Sequence, residues 1–226
     1  MLLLIDKPKG ITSHDVVDEL RKITGIKKIG HAGTLDPMAE GLLVVGIGRE
    51  STKKLGSIAK DTKKIYEAKL FLGKETDTYD ADGKIVSEIE NFLPPSITVI
   101  EKFLNKFKGA ISQLPPKFSA IKIKGKKAYE LARKGEEVKL EPRKITIYNI
   151  KILKYCFPIL SIEIECSSGT YIRSLAYDIG KELGCGAHLS GLRRTVIGEF
   201  NLKNAVNLEK LTCKNWREYG FEITSL

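Results

Sequence analysis

The sequence predicts an α+β fold, and three features of its patterning predict it. Segments at 65–72, 145–153 and 159–166 alternate apolar and polar residues as half-buried strands do, the last two joined as a hairpin through Phe157-Pro158. Apolar residues also recur at helical spacing, at Val16, Val17, Leu20 and Ile23, at Ile100, Phe103, Leu104 and Phe107, and at Ile172, Ala176, Ile179 and Leu183. Strand and helix segments follow one another without a repeat, a low-complexity tract or a linker, so the 226 residues are expected to form one domain with a sizeable core.

Charge narrows the partner. The chain carries 38 Lys and Arg against 28 Asp and Glu, a net +10, with a pI near 9.3. Such a balance attracts phosphate polyanions or an anionic membrane surface. No apolar run approaches the roughly 20 residues of a membrane span. Met1-Leu2-Leu3-Leu4-Ile5 is too short for a signal peptide and has no basic leader. The expected partner is therefore nucleic acid, and the expected compartment the cytoplasm. Cys156, Cys166, Cys185 and Cys213 form no C-x-x-C pair, and Cys185 with His188 has only half of a zinc-like spacing, so no metal site is expected.

Along the chain, residues 2–5 read as a short buried strand and residues 6–10 as a turn. Ser13 is placed to cap a helix closed by Gly25, with His14 exposed in its first turn. The stretch Gly30-His31-Ala32-Gly33-Thr34-Leu35-Asp36-Pro37-Met38-Ala39-Glu40-Gly41 is polar and punctuated by glycine, and it runs into a strand at 42–47. Asp36-Pro37 has two readings there: a helix start with Asp36 as N-cap, or a rigid bend that aims a carboxylate. Tyr66 lies on the alternating strand at 65–72 and reads first as a packing residue.

Thr76-Asp77-Thr78-Tyr79-Asp80-Ala81-Asp82-Gly83 reads as a turn and lacks the remaining ligands of a calcium loop. Pro94-Pro95-Ser96 starts a helix that ends at Gly109. Residues 117–144 hold ten Lys and Arg against four Glu, a net +6, with Phe118 and Tyr129 among the lysines. A solvated face and a nucleic-acid arm both fit that run. Ser167-Ser168-Gly169-Thr170-Tyr171-Ile172-Arg173 leads into a helix stopped by Gly184. Arg173 in its first turn opposes the helix dipole by roughly 0.3–1 kcal/mol, which calls for a carboxylate partner. His188 reads as structural, and residues 204–226 as a short tail.

Gly-His-x-Gly-Thr-Leu-Asp-Pro-x-Ala-x-Gly-Leu-Leu resembles the catalytic loop of the TruB family of RNA pseudouridine synthases. Five further stretches agree with the family in its own order: Lys7-Pro8-x-Gly10, the Lys-x-Tyr segment ending at Tyr66, Thr-Asp-Thr-x-Asp ending at Asp80, Gly-Thr-Tyr-Ile-Arg ending at Arg173, and Ala187-His188-Leu189-x-x-Leu192-Arg193-Arg194-Thr195. The resemblance implies the pseudouridine-synthase fold, a mixed and largely antiparallel sheet flanked by helices with a cleft across it. It implies Asp36 as the catalytic carboxylate, Arg173 as the guanidinium that pairs with it, and Tyr66 as the ring that stacks on the flipped base and relays the C5 proton. Tyr171 and Leu192 are implied to line the pocket, and Asp80 to join the ion pairs of the active-site arginine. His31 is implied to fill the RNA stack that the uridine leaves, against its plain reading as a loop histidine bonded to backbone. Lys7 is implied to be a substrate-binding residue, and is read equally well as a solvated turn lysine. The lysine-rich 117–144 segment resembles the insertion that grips the tRNA elbow, and the C-terminal RNA-binding domain of the PUA type is expected to be missing.

The implied reaction converts the T-loop uridine at tRNA position 55 to pseudouridine. It breaks C1′–N1, turns the uracil and joins C1′ to C5, and since nothing is oxidised and nothing leaves, neither a redox cofactor nor a metal is required. Asp36 acts as nucleophile or takes a sugar proton, two routes that sequence leaves open. A monomer acting on the T arm and elbow of tRNA is expected. Two other readings stand beside it: a guide-RNA-dependent relative of the dyskerin kind, and a non-catalytic tRNA-binding or tRNA-folding protein.

Overall fold

The computed structural model describes residues 1–60, 62–89, 93–119, 121–123, 125–136 and 138–222, and within these not the side chains of Lys122, Lys127, Tyr129, Ala132 and Arg133. The fold is α+β, with mixed, mostly antiparallel strands. In chain order come β1 (Leu2–Lys7), α1 (Ser13–Thr24), β2 (Ile29–Ala32), β3 (Ala39–Ile47), α2 (Arg49–Ala59), β4 (Lys64–Leu72), β5 (Lys74–Thr76), β6 (Ile85–Glu88) and α3 (Ile97–Asn105). They are followed by β7 (Gly109–Gln113), β8 (Lys122–Ile123), β9 (Lys126–Lys127), α4 (Ala128–Arg133), β10 (Arg143–Cys156) and β11 (Ile159–Cys166). The chain then forms α5 (Ile172–Glu182), β12 (Ala187–Ile197), β13 (Phe200–Asn201) and β14 (Val206–Asn207). Two compact units result, residues 1–67 with 192–226, and residues 68–191.

In the first unit β3 is the central strand. One edge pairs with β1, antiparallel from Leu2 opposite Gly46 to Lys7 opposite Gly41. The other edge is shared, with β2 antiparallel at its far end and Leu192 to Arg194 of β12 parallel to Ala39 to Gly41. β14 lies parallel on the outer side of β1. Both faces of β1 are covered, which explains its unbroken apolar run. Leu3 and Ile5 pack with Val16, Val17 and Leu20 of α1 and with Trp216, while Leu2 and Leu4 pack with Leu42, Val44, Leu55 and Ile58.

Helix α1 begins one residue earlier than its sequence suggests. Thr12 is the N-cap, in a capping box with Asp15. The Ser13 hydroxyl is buried and serves the Asp36 segment instead. Gly25 closes the helix in the left-handed conformation, as read from sequence.

In the second unit β10 pairs antiparallel with β11 and with β7, and the Ala68–Leu72 end of β4 joins at β11. The inward face of β11 is Leu160, Ile162, Ile164 and Cys166, all buried. Helix α3 packs against β10 and α5. Ser96 caps α3, and the helix stops at Asn105, so Phe107 is buried beyond its end and Gly109 starts a strand. Gly180 of α5 meets the start of β12 so closely that a Cβ would stand 2.2 Å from the Ala187 nitrogen. Among the described residues no helix is long and apolar enough to cross a membrane.

Candidate active site

Asp36 does not start a helix. The Ala39 N–H donates to the Asp36 carbonyl at 3.0 Å, closing a turn with Pro37 at its second position, and β3 begins at once. The carboxylate is half-buried. Its segment is anchored from several sides. The Gly10 N–H donates to the Pro37 carbonyl at 2.8 Å. The Ser13 hydroxyl accepts from the Leu35 N–H at 2.9 Å and donates to the Leu35 carbonyl at 3.2 Å. Arg194, 1% exposed, donates from Nη2 to the Gly33 carbonyl at 2.8 Å and from Nε to the Leu42 carbonyl at 2.9 Å. Such anchoring from outside the turn is what holds a reacting group in one direction.

Lys7 is fully buried, against its reading as a solvated turn lysine. The strand that carries it has both faces covered, so the ammonium bonds inward, to the Pro8 carbonyl at 2.8 Å and the Ile11 carbonyl at 2.7 Å. Burial pushes it down to about 8; the carboxylates of Asp36 and Glu40 oppose the fall, and the Arg194 guanidinium adds to it. Arg193 joins Asp6 at 2.8 Å to Glu40 at 3.1 Å across the same strand ends. His31 sits on β2 opposite Val45, not in a loop. Its ring is pushed below the usual range by burial and then by Arg194, and its Nδ1 has no hydrogen-bond partner among the described residues, so the backbone-bonded reading does not hold for that nitrogen. Tyr66, 7% exposed, lies on the buried side of β4 with Lys64. Leu192 is half-buried on β12.

The second unit contains Asp80, Tyr171 and Arg173. Arg173 is buried in the first turn of α5, and the carboxylate that its position calls for is present: Asp80 Oδ2 lies 3.5 Å from its Nη1. Nη2 donates to the Phe118 carbonyl at 2.9 Å, which ties the start of the lysine-rich insertion to α5. Asp80 accepts from the Thr78 hydroxyl at 2.6 Å and the Asp82 N–H at 3.1 Å. Burial raises its carboxyl above the ordinary range against the pull of Thr78 and Arg173. Tyr171 is the N-cap of α5 and has no side-chain cap bond. Gln113 of β7 grips its backbone instead, accepting from the Tyr171 N–H at 2.8 Å and donating to its carbonyl at 3.0 Å. His188 stacks on Phe71 and bonds the Lys74 carbonyl, a structural role as read. In the insertion, Lys126, Lys134, Lys139, Arg143 and Lys144 are exposed; Lys124 and the Tyr129 side chain lie outside the described residues.

Sequence reading missed Arg194, Ser13 and Gln113. Arg194 stood within the last family motif without a role of its own, Ser13 was read only as a cap, and Gln113 had no local signal. Among the described residues no cluster of three or more His, Cys, Asp or Glu is placed to hold a metal ion.

Comparison with known proteins follows the same lines. The profile described as "TruB family pseudouridylate synthase (N terminal domain)" matches residues 21–172, and that described as "tRNA pseudouridylate synthase B C-terminal domain" matches residues 173–224. A curated protein of Clostridium tetani, "tRNA pseudouridine synthase B", is 50% identical over 213 residues, 94% of this chain and 73% of that protein. One of the same description from Aquifex aeolicus is 46% identical over 228 residues, 99% of this chain and 78% of that one. Among solved structures, "Crystal Structure of a Cbf5-Nop10-Gar1 Complex" superposes with a TM-score of 0.72 at 30% identity, covering 98% of this chain and 56% of that chain. "Structure of H/ACA RNP bound to a substrate RNA containing 2'-deoxyuridine" gives 0.70 at 28% identity with the same coverage.

Proposed function

This chain belongs to the TruB family of pseudouridylate synthases, and from that premise we propose that it isomerises uridine to pseudouridine at position 55 in the T loop of tRNA. The observation that carries the reading is the Asp36 turn: the family's aspartate stands on a bend anchored through Gly33, Leu35 and Pro37. In this reading the target uridine leaves its stack, at a cost of a few kcal/mol. Tyr66 stacks on the base and returns about 1–3 kcal/mol. The Asp36 carboxylate acts on the ribose as C1′–N1 breaks, Arg173 is the guanidinium that aims that carboxylate, and the base rejoins C1′ through C5 while Tyr66 relays the C5 proton. Asp80 orients Arg173; Tyr171 and Leu192 line the pocket, and His31 fills the vacated stack. The protein works as a monomer in the cytoplasm, with its basic insertion on the T arm and elbow.

Stand-alone action is favoured over guide-RNA dependence, because the relatives described as tRNA pseudouridine synthase B share 46–50% identity, against 28–30% for the H/ACA and Cbf5 structures. The test is to incubate the purified protein with an unmodified tRNA transcript and no other RNA, and to map pseudouridine by carbodiimide labelling. A single product at position 55 is expected. The Asp36→Asn protein is expected to bind the transcript within about threefold of wild type and to convert none of it; substantial product from that variant overturns the role of Asp36.

A further inference from the structure

Arg194 reaches both flanks of the segment that carries Asp36. Gly33, which accepts from Nη2, is the residue by which the chain leaves β2; Leu42, which accepts from Nε, lies on β3 beyond the turn. One planar guanidinium therefore spans the mouth of the loop. The surroundings are shaped to it. A Cβ on Gly33 would stand 3.2 Å from Nη1, and Gly33 has φ +74, so glycine leaves the space the fork occupies. The Arg194 backbone is fixed as well, paired in register with Gly41 in the parallel ladder of β12 and β3. Ser13 and Gly10 hold the middle of the loop, whereas Arg194 holds its two ends.

We propose that Arg194 is a positioning residue for Asp36, keeping the carboxylate on its line by bridging the entry and exit of the turn. The proposal rests on the reading of Asp36 as the catalytic acid. Lysine cannot replace it, because an ammonium is one compact point of charge, whereas the guanidinium offers a rigid fork of donors in two directions. A misplacement of about 1 Å in a reacting group costs on the order of 10²-fold in rate.

The test compares the full-length wild-type chain with Arg194→Lys, and with Gly33→Ala, which pushes on the fork from the other side. Three quantities are read: single-turnover conversion of an unmodified tRNA transcript at saturating enzyme, affinity for that transcript, and amide exchange at Leu35 and Ala39. The expected result is a fall of about 10²-fold in conversion, affinity within about threefold of wild type, and exchange at the two amides faster by about tenfold with β1 unchanged. Wild-type conversion with wild-type exchange overturns the proposal, and so does a loss of affinity that matches the loss of rate. If Arg194→Lys does not fold, Gly33→Ala is judged by the same criteria. If the wild-type protein itself converts no transcript, the functional reading falls, and the exchange at Leu35 and Ala39 alone then supports or overturns the bridge.

Discussion

Lys7 ties the protein's stability to alkaline pH. Its folded value near 8 lies below the ordinary 10.5, so between those limits the unfolded chain binds more protons than the folded one. Stability therefore rises with pH across that window, by about 1.4 kcal/mol per unit from this group and on the order of 3 kcal/mol in all. Below pH 8 both states are charged and the contribution is flat. Lys7→Met should abolish the rise, which is checked by urea unfolding of both proteins at pH 7.5 and 10. The lysine's place in Lys7-Pro8-x-Gly10 was legible in the sequence, but its burial was not, since that depends on both faces of β1 being covered. Asp36 was legible as a bend and ambiguous as a helix start, and only the strand that follows it decides. Asp80 and Arg173, 93 residues apart in sequence, were matched as motifs, and their 3.5 Å approach follows from folding alone.

Elements meet most tightly where β12 lies along β3. Gly41 has φ +98, and a Cβ there would stand 2.4 Å from the Arg194 carbonyl oxygen, backbone against backbone. Gly41→Ala combines left-handed strain with a clash that no side-chain rotation relieves. A loss of at least about 3 kcal/mol is expected, seen as a fall of roughly 6–12 °C in the melting temperature. The long alternating strands and the capped helices were readable because period 2 and period 3.6 leave marks over eight or more residues. β2 and β7 left none: the first has four residues within a glycine-rich stretch, and the second starts at Gly109, which the sequence marks as a helix end. The cap of α1 moved from Ser13 to Thr12 because either hydroxyl suits the position, and Ser13 is needed 22 residues away at Leu35.

At the scale of the whole molecule the net +10 and the exposed lysines of the insertion set the ionic behaviour. Binding of tRNA should weaken steeply with salt, linear in the logarithms. Replacing Lys126 and Lys134 together by alanine should lower that slope by about 2, with conversion at saturating enzyme unchanged; equilibrium titrations between low and moderate salt measure it. The arrangement of the first unit also bears on biosynthesis. Its opening 67 residues leave the ribosome long before the strand that borders β3, and the turn at residue 36 waits for residue 194 to bridge it. A nascent chain therefore holds that segment only through its Gly10 and Ser13 contacts until residue 194 has been made, and a polypeptide truncated before β12 would lack the bridge.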